Sequence, residues 1–379
     1  MKNKYLLFRV DFSGVSDKLF SELSKKGLQI EEHNIPKIWR LYFFAIITSF
    51  SLNYKKWIIK AERKYNLLQK TGWAFRLKSN WCAKIIDSVD VADYAAVIQV
   101  SGTFDAMAYS KAKLPFFILT DYTMELAAQK QLQSIKPLLP PSELELLNWY
   151  RNETKLYQRA DKIIVPSEYI TNSLKTFYSI DSEKLVTVGY GSNLLPSSVV
   201  KKQIIDPYDI KLLFVGKMFK QKGGEEILAA LDLLKSHYPK ITLTIVGPRV
   251  NPCPNHDSVI YLGRIYDKEK LARLYRQANL FIIHSAYEAF GLVLLEAMAF
   301  GTPCIGSNID AMPDILVKTG AGRVADLGDI DAIKNEILHL IENPLAYKKA
   351  SIAGINAVNN YYNWEIVSDK FFSAVTEHV

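Results

Sequence analysis

Between Leu280 and Gly306 the chain reads as apolar strand, glycine turn, apolar helix, second glycine, apolar strand, and few architectures accept that order. Leu280-Phe281-Ile282-Ile283 and Pro303-Cys304-Ile305-Gly306 are short aliphatic runs of the kind that parallel strands bury on both faces. Strand, helix and strand make a βαβ unit, with the helix as crossover. Glu288 and Glu296 bracket the run Phe-Gly-Leu-Val-Leu-Leu eight residues apart, slightly more than two helical turns. A helix starting near Phe290 therefore brings both carboxylates within reach of one face. Gly291 at the turn lets backbone N–H groups approach an anion at the helix N-terminus. A carboxylate beside such a site repels phosphate and suits the hydroxyls of a sugar. A solvated helix face is the ordinary alternative, but an apolar run predicts a buried helix carrying Glu296 inward. Buried carboxylates need donors, which a ribose diol supplies.

The same rhythm runs along the rest of the chain. Strands are predicted at Tyr5–Val10, Ala95–Val100, Pro115–Thr120, Lys162–Val165 and Lys184–Val188, then at Ile210–Val215, Ile241–Val246 and Val259–Leu262. Helices are predicted at Ser16–Lys26, across 38–84 with an interruption near Gly72, and at Ser167–Tyr178, Gly224–His237, Lys268–Gln277 and Asp329–Ile341. Alternation of this kind implies doubly wound α/β domains with parallel sheets covered on both faces. At 379 residues the chain has room for two domains. Residues 195–209, with Pro196 and Pro207, form the best linker. The expected division is 1–200, 201–358 and a terminal helix over 359–379 that crosses back. Ligands are expected in the cleft outside the carboxyl ends of the strands.

Charge is uneven. Residues 1–200 hold 27 Lys and Arg against 19 Asp and Glu, whereas 201–379 hold 20 of each. Segment 37–84 carries 11 basic residues against Glu62 alone, together with Trp39, Trp57, Trp73 and Trp81. Basic residues mixed with aromatics suit an anionic membrane interface or an anionic ligand, and equally a basic solvated helix face with its aromatics in the core. No nucleic-acid recognition motif accompanies the charge, so nucleic acid is not an expected partner. The apolar stretch Leu41–Ile47 falls far short of the roughly 20 residues of a membrane span. The start, MKNKYLLFRVDFSG, reads as a first strand and not as a leader. Three distant cysteines, Cys82, Cys253 and Cys304, indicate a reduced compartment. The expected location is cytoplasmic, with the inner face of the cytoplasmic membrane as the candidate surface.

Strand Leu212–Val215 runs into Gly216-Lys217-Met218-Phe219-Lys220-Gln221-Lys222-Gly223-Gly224. Three lysines and three glycines between a strand and a helix make a phosphate cradle, although the order of a P-loop is absent. Asp329-Ile330-Asp331 starts a helix after Gly328 and reads as a cap. Cys253-Pro254-Asn255-His256-Asp257 lacks a second ligand pair for zinc and reads as a loop.

Together, FVGKMFKQKGG, TLTIVG, VIYLGRI and SAYEAFGLVLLEAMAFGTPCIGSNIDAMPD resemble the family-4 (group 1) retaining glycosyltransferases of the GT-B fold. The first half resembles them more loosely through RADKIIVPSEYI and GYGSN. The resemblance implies two Rossmann-like domains facing each other across a cleft, a nucleoside-diphosphate sugar as donor and a hydroxyl acceptor on a glycan, a lipid-linked sugar or a small metabolite. It implies no cofactor and no metal. Lys217 and Lys222 would neutralise the diphosphate, with Gly216 and the N–H groups of Phe290, Gly291 and Leu292 alongside. Glu296 would hold the ribose, Glu288 the transferred sugar, and Arg264 and Ile265 would line the base. Gly14 would admit the donor on the first domain's side. Breaking the anomeric bond leaves an oxocarbenium-like sugar and a more negative diphosphate, which fixed cations stabilise.

Two departures stand out. Lys217 replaces the family's usual arginine and loses its bidentate fork. Many members carry a histidine after the strand matching Pro115–Thr120, where this chain has Thr120-Asp121-Tyr122. Asp121 is read either as touching the sugar or accepting the acceptor's proton, or as a strand-end cap. A route in which the leaving phosphate takes that proton tolerates the change. The alternative function is a non-catalytic sugar-nucleotide-binding subunit of a glycan-assembly complex.

Overall fold

The computed structural model describes residues 3–10, 15–130, 139–198, 202, 206 and 209–377. Gly14 and much of the 195–209 linker lie outside the described residues. The chain divides into two compact units, one of Met1–Val188 with Ser368–Val379, the other of Gly189–Val367.

In the first unit the elements are β1 (Lys4–Arg9), α1 (Val15–Lys25), β2 (Gln29–Asn34), α2 (Trp39–Thr48), α3 (Tyr54–Leu68), α4 (Gly72–Ile86), β3 (Tyr94–Val100), β4 (Phe116–Leu119), α5 (Met124–Gln129), α6 (Glu143–Arg159), β5 (Lys162–Val165), α7 (Glu168–Thr176) and β6 (Leu185–Thr187). Its six strands are parallel in the order β2-β1-β3-β4-β5-β6. Apolar runs fill the centre: Leu6, Phe8, Val97, Ile118 and Ile163 share one core. Helices start where the sequence supplies caps, with Asn53, Thr71, Ser142 and Ser167 accepting backbone N–H groups at α3, α4, α6 and α7. The helix expected across 38–84 is three helices, because the chain breaks at Ser49–Asn53 as well as before Gly72.

The second unit runs β7 (Lys211–Val215), α8 (Gly224–Leu234), β8 (Thr242–Val246), β9 (Val259–Gly263), α9 (Lys268–Gln277), β10 (Leu280–Ile282), α10 (Leu292–Ala299), β11 (Cys304–Ser307), α11 (Met312–Leu316), β12 (Gly322–Ala325), α12 (Ile330–Glu342), α13 (Pro344–Asn360) and α14 (Trp364–Thr376). Its parallel sheet has the order β12-β11-β10-β7-β8-β9. The chain fills one side of β7, then returns to fill the other, so a topological switch point lies between β7 and β10. Open α/β sheets bind ligands at that place, outside the carboxyl ends of the strands. Asp329 caps α12 by accepting from Ala332 N at 2.8 Å, as the reading of Asp329–Asp331 expects. Ser368 onward belongs to the first unit, where Phe371 packs edge-on against Phe20 and Asp369 pairs with Lys26 at 2.6 Å.

Both sheets are the doubly wound parallel arrangement the alternating pattern predicts. No helix among the described residues is long and apolar enough to cross a membrane.

Candidate functional site

The switch point of the second unit gathers residues from two loops. After β7, Gly216 donates its N–H to Val246 O at 2.9 Å, and the chain makes a short turn over Lys220–Lys222. That turn is fastened to the exit of β10: His284 N donates to Lys222 O and Ala286 N to Gln221 O, each at 3.1 Å. Gly223 makes the approach possible. Its φ is +72°, and a Cβ there would lie 2.1 Å from His284 O. The docked turn aims Lys222 at the other loop, where Nζ reaches Glu288 Oε2 at 2.6 Å and Tyr287 O at 3.4 Å.

Glu288 is fixed from the far side too, its N–H donating to Asp310 Oδ2 at 2.9 Å. Asp310 is buried at a φ of +52°, a left-handed backbone that Asp and Asn tolerate better than other side chains. Sequence reasoning did not single out Asp310. The signal for it was the Asn308-Ile309-Asp310 turn after β11.

The helix expected to start near Phe290 begins at Leu292, directly after Gly291 turns at a φ of +95°. Glu288 sits on the approach loop, and Glu296 alone rides on the helix. Gly291 ends the loop without any side-chain cap, so the first N–H groups of α10 lack a side-chain acceptor at their N-cap. Phe290 is buried by Tyr190 and Tyr362, with ring centroids at 5.1 and 6.0 Å, which anchors the loop to the unit's interior.

Glu296 is half-buried, less deeply than an apolar helix led one to expect. It accepts a hydrogen bond from Tyr275 OH at 2.9 Å, and burial raises its carboxyl pKa above the usual range. Tyr275 was missed by sequence reasoning. It stands on α9, outside every motif, and only the fold brings it to α10.

The remaining predicted residues stand at the same carboxyl edge. Lys217 is exposed one residue beyond Gly216, and Arg264 and Ile265 follow β9, the first exposed and the second half-buried. The edges of β8 and β9 are tied by Gly247 N donating to Gly263 O at 2.8 Å. Lys222, Glu288, Gly216 and Gly291 are therefore brought together, while Lys217 and Arg264 reach outward. His284 is buried at the exit of β10, its Nε2 accepting from Gly328 N at 3.1 Å, and burial lowers its pKa. It is a positioning residue here, since its backbone carries the docked turn. His256, in the loop once weighed for zinc, pairs with Asp232 at 3.0 Å.

In the first unit, Asp121 follows β4 and is half-buried, with its carboxyl pushed up to about 6 by burial. The neighbouring Thr120 hydroxyl donates to Tyr122 O at 3.1 Å. Beneath lies a buried polar cluster in which Glu153 accepts from Tyr178 OH and Tyr157 OH and from Met124 N. Its carboxyl is raised to about 7, again chiefly by burial.

Residues 199–357 match the model of a family described as "Glycosyl transferases group 1". The chain is similar to an O-antigen chain mannosyltransferase B of Escherichia coli, with 27% identity over 234 residues that cover 56% of this chain and 60% of that one. It is also similar to a glycogen synthase of Mycobacterium tuberculosis (strain CDC 1551 / Oshkosh), with 29% identity over 42% of this chain and 40% of that one. The chain thus spans 60% or less of the length of these two curated relatives. Among solved structures, a sucrose-phosphate synthase from Thermosynechococcus elongatus shares the fold, with a TM-score of 0.65 at 17% identity over 99% of both chains. Residues 199–357 thus resemble the group 1 glycosyl transferases in sequence, and the two parallel α/β sheets share the fold of the sucrose-phosphate synthase.

Proposed function

We propose that this chain is a retaining, metal-independent glycosyltransferase that moves a hexose from a nucleoside-diphosphate sugar to a hydroxyl acceptor. The observation that carries the reading is the Lys222–Glu288 pair at the β7/β10 switch point, beside a helix start opened by Gly291. A cation and helix N–H groups there suit a diphosphate, and a carboxylate held against the cation suits sugar hydroxyls.

In the reaction the bond from the anomeric carbon to the diphosphate oxygen breaks, and a bond from that carbon to the acceptor oxygen forms on the same face. The diphosphate leaves with the electron pair and takes the acceptor's proton. Lys222, with Lys217 in reach of the same edge, offsets the charge that grows on the leaving group. Glu288 orients the sugar and faces the positive charge developing on its ring. Glu296 holds the ribose hydroxyls, and Arg264 and Ile265 flank the base. Asp121 is assigned to the acceptor side. The relatives named above as an O-antigen chain mannosyltransferase and a glycogen synthase support a glycan hydroxyl as acceptor. The basic, aromatic segment 37–84 supports a lipid-linked one at the inner face of the cytoplasmic membrane.

Thermal-shift measurements against UDP, GDP and ADP identify the base, since a bound ligand stabilises the native state. Turnover of the matching nucleotide sugar, with and without a chelator, and the anomeric configuration of the product by NMR then test the reaction. Donor binding by the wild type with no turnover on any hydroxyl acceptor, and identical behaviour in Glu288→Ala, would instead mark a binding subunit.

A further inference from the structure

Helix α2 turns most of its apolar side chains away from the core. Leu41 and Ala45, one turn apart, are its buried residues. Trp39, Phe43 and Ile47, spaced four apart on the opposite side, are 68%, 65% and 57% exposed. The stripe continues past the helix end into Phe50 and Leu52, which are 67% and 97% exposed. Loose packing does not explain this. Trp57 of α3 donates its ring N–H to Ile46 O at 2.8 Å, and Tyr42 meets Tyr65 edge-on at 5.3 Å. The hairpin of α2 and α3 is built, and its aromatic side faces outward all the same.

Charge surrounds that side. Residues 37–64 hold seven Lys and Arg against Glu62 alone. At the junction of the two helices a cleft of about 300 Å³ is lined by Thr48, Ser49, Phe50, Lys60, Arg63 and Lys64. Three cations and two hydroxyls therefore converge next to the most exposed apolar tip. A second copy of the chain is a poor occupant, since pairing would bring a net excess of six cations against six more. Aromatic and aliphatic side chains ringed by cations and hydroxyls instead match the boundary between the acyl chains and phosphates of an anionic bilayer.

We infer that the α2–α3 hairpin seats on an anionic lipid surface. The stripe Trp39, Phe43, Ile47, Phe50 and Leu52 enters the boundary of the acyl chains, and Lys60, Arg63 and Lys64 hold lipid phosphates in the cleft. This rests on the proposed function for its consequence, a bilayer-borne acceptor, but the docking itself needs no turnover. The segment's composition left this open against aromatics buried in a core; Trp81 and Phe75 do pack inward, whereas the α2 stripe stands exposed.

Flotation of the full chain with vesicles of phosphatidylcholine, alone or in equimolar mixture with phosphatidylglycerol, tests the inference. The wild type floats with the anionic vesicles at low salt. At roughly 1 kcal/mol per cation, Lys60→Ala/Arg63→Ala/Lys64→Ala lowers partitioning about 100-fold. Phe43→Ser/Ile47→Ser/Phe50→Ser abolishes flotation while the melting temperature and the nucleotide-induced thermal shift stay at wild-type values. Quenching by brominated lipid, needing no destabilising change, falls in Trp39→Phe relative to the wild type. Absence of flotation at low salt overturns the inference, as does flotation that neither triple variant reduces. A dimer in sedimentation that the apolar triple variant dissolves also overturns it, by giving the stripe to a second copy. None of these results depends on sugar transfer, so the docking and the enzymatic reading fail separately.

Discussion

Lys222 and Glu288 leave neighbouring strands on opposite arms of the switch point and meet as an ion pair of 2.6 Å, with Asp310 holding the Glu288 backbone from behind. Neither side chain is positioned by its own loop alone. The turn carrying Lys222 is pinned by His284 and Ala286, which lead directly into Glu288. Lys222→Ala is expected to lower kcat/KM by about 100- to 1,000-fold, the usual loss for one charge-stabilising group. Glu288→Gln keeps the size and removes the charge, and should depress kcat more than donor affinity. Steady-state kinetics of both single variants and the double variant check this. Because the two act on one reacting centre, the double variant should lose less than the product of the single losses. Wild-type rates in both singles would remove the enzymatic reading.

Gly223 is expected to be less replaceable than Gly291, the other site glycine at positive φ. A Cβ at Gly223 would meet His284 backbone, 2.1 Å from its carbonyl oxygen, whereas at Gly291 it would meet the end of Leu294 at 2.9 Å. The first obstacle cannot rotate away and the second can. Both residues also sit at positive φ, which costs an alanine about 1–2 kcal/mol. Gly291→Ala should therefore destabilise by about 1–3 kcal/mol and Gly223→Ala by about 3 kcal/mol or more. Urea melts of the two variants measure the order, which equal midpoints would contradict.

Much of this was legible in the sequence, for physical reasons that also explain the rest. Strands such as Tyr94–Val100 and Phe116–Leu119 are buried on both faces, so their apolar runs announce them. The strands missed, Gln29–Asn34 and Gly322–Ala325, lie at the edges of their sheets, where polar side chains such as Glu31, Glu32 and Arg323 are tolerated and no apolar run forms. Helix α6 escaped notice because its buried side includes Glu153, whose charge disguised it as a solvated face. The Lys222 loop and Glu288 carried their own motifs. Tyr275 and Asp310 carried none, since each works through a tertiary contact that no spacing encodes.

Glu296 and Tyr275 offer a way to separate binding from chemistry. The carboxyl, raised by burial, accepts from Tyr275 OH at 2.9 Å. Tyr275→Phe keeps the ring packed against Phe300 and leaves the carboxylate short of a donor. A lost hydrogen bond to a charged group costs about 1.5–3 kcal/mol, so the melting temperature should fall. If Glu296 serves the ribose, Glu296→Ala should raise KM for the donor about 10-fold with kcat little changed. Calorimetric titration with the cognate nucleoside diphosphate should show the same loss, and unaltered affinity would free Glu296 from that role.

Glu153 should leave a pH signature on stability. Its carboxyl is raised to about 7, with burial as the leading cause, even though Tyr178, Met124 and Tyr157 donate to it. The folded pKa lies above the unfolded value of about 4.3, so the folded state holds the proton more tightly. The contribution to stability is complete below the unfolded value and is lost as pH rises through about 7. Its size is on the order of 3–4 kcal/mol. Asp121, raised to about 6, titrates in an overlapping window with the same sign. Chemical denaturation at steps from pH 4 to 8 should thus show stability falling with pH across this window. Glu153→Gln should flatten most of the fall and Asp121→Asn a smaller part. Glu153→Leu, which takes the acceptor away from Met124 N and from two tyrosine hydroxyls in the core, should destabilise at every pH. A slope identical in wild type and Glu153→Gln would mean that Glu153 keeps its ordinary pKa inside the fold.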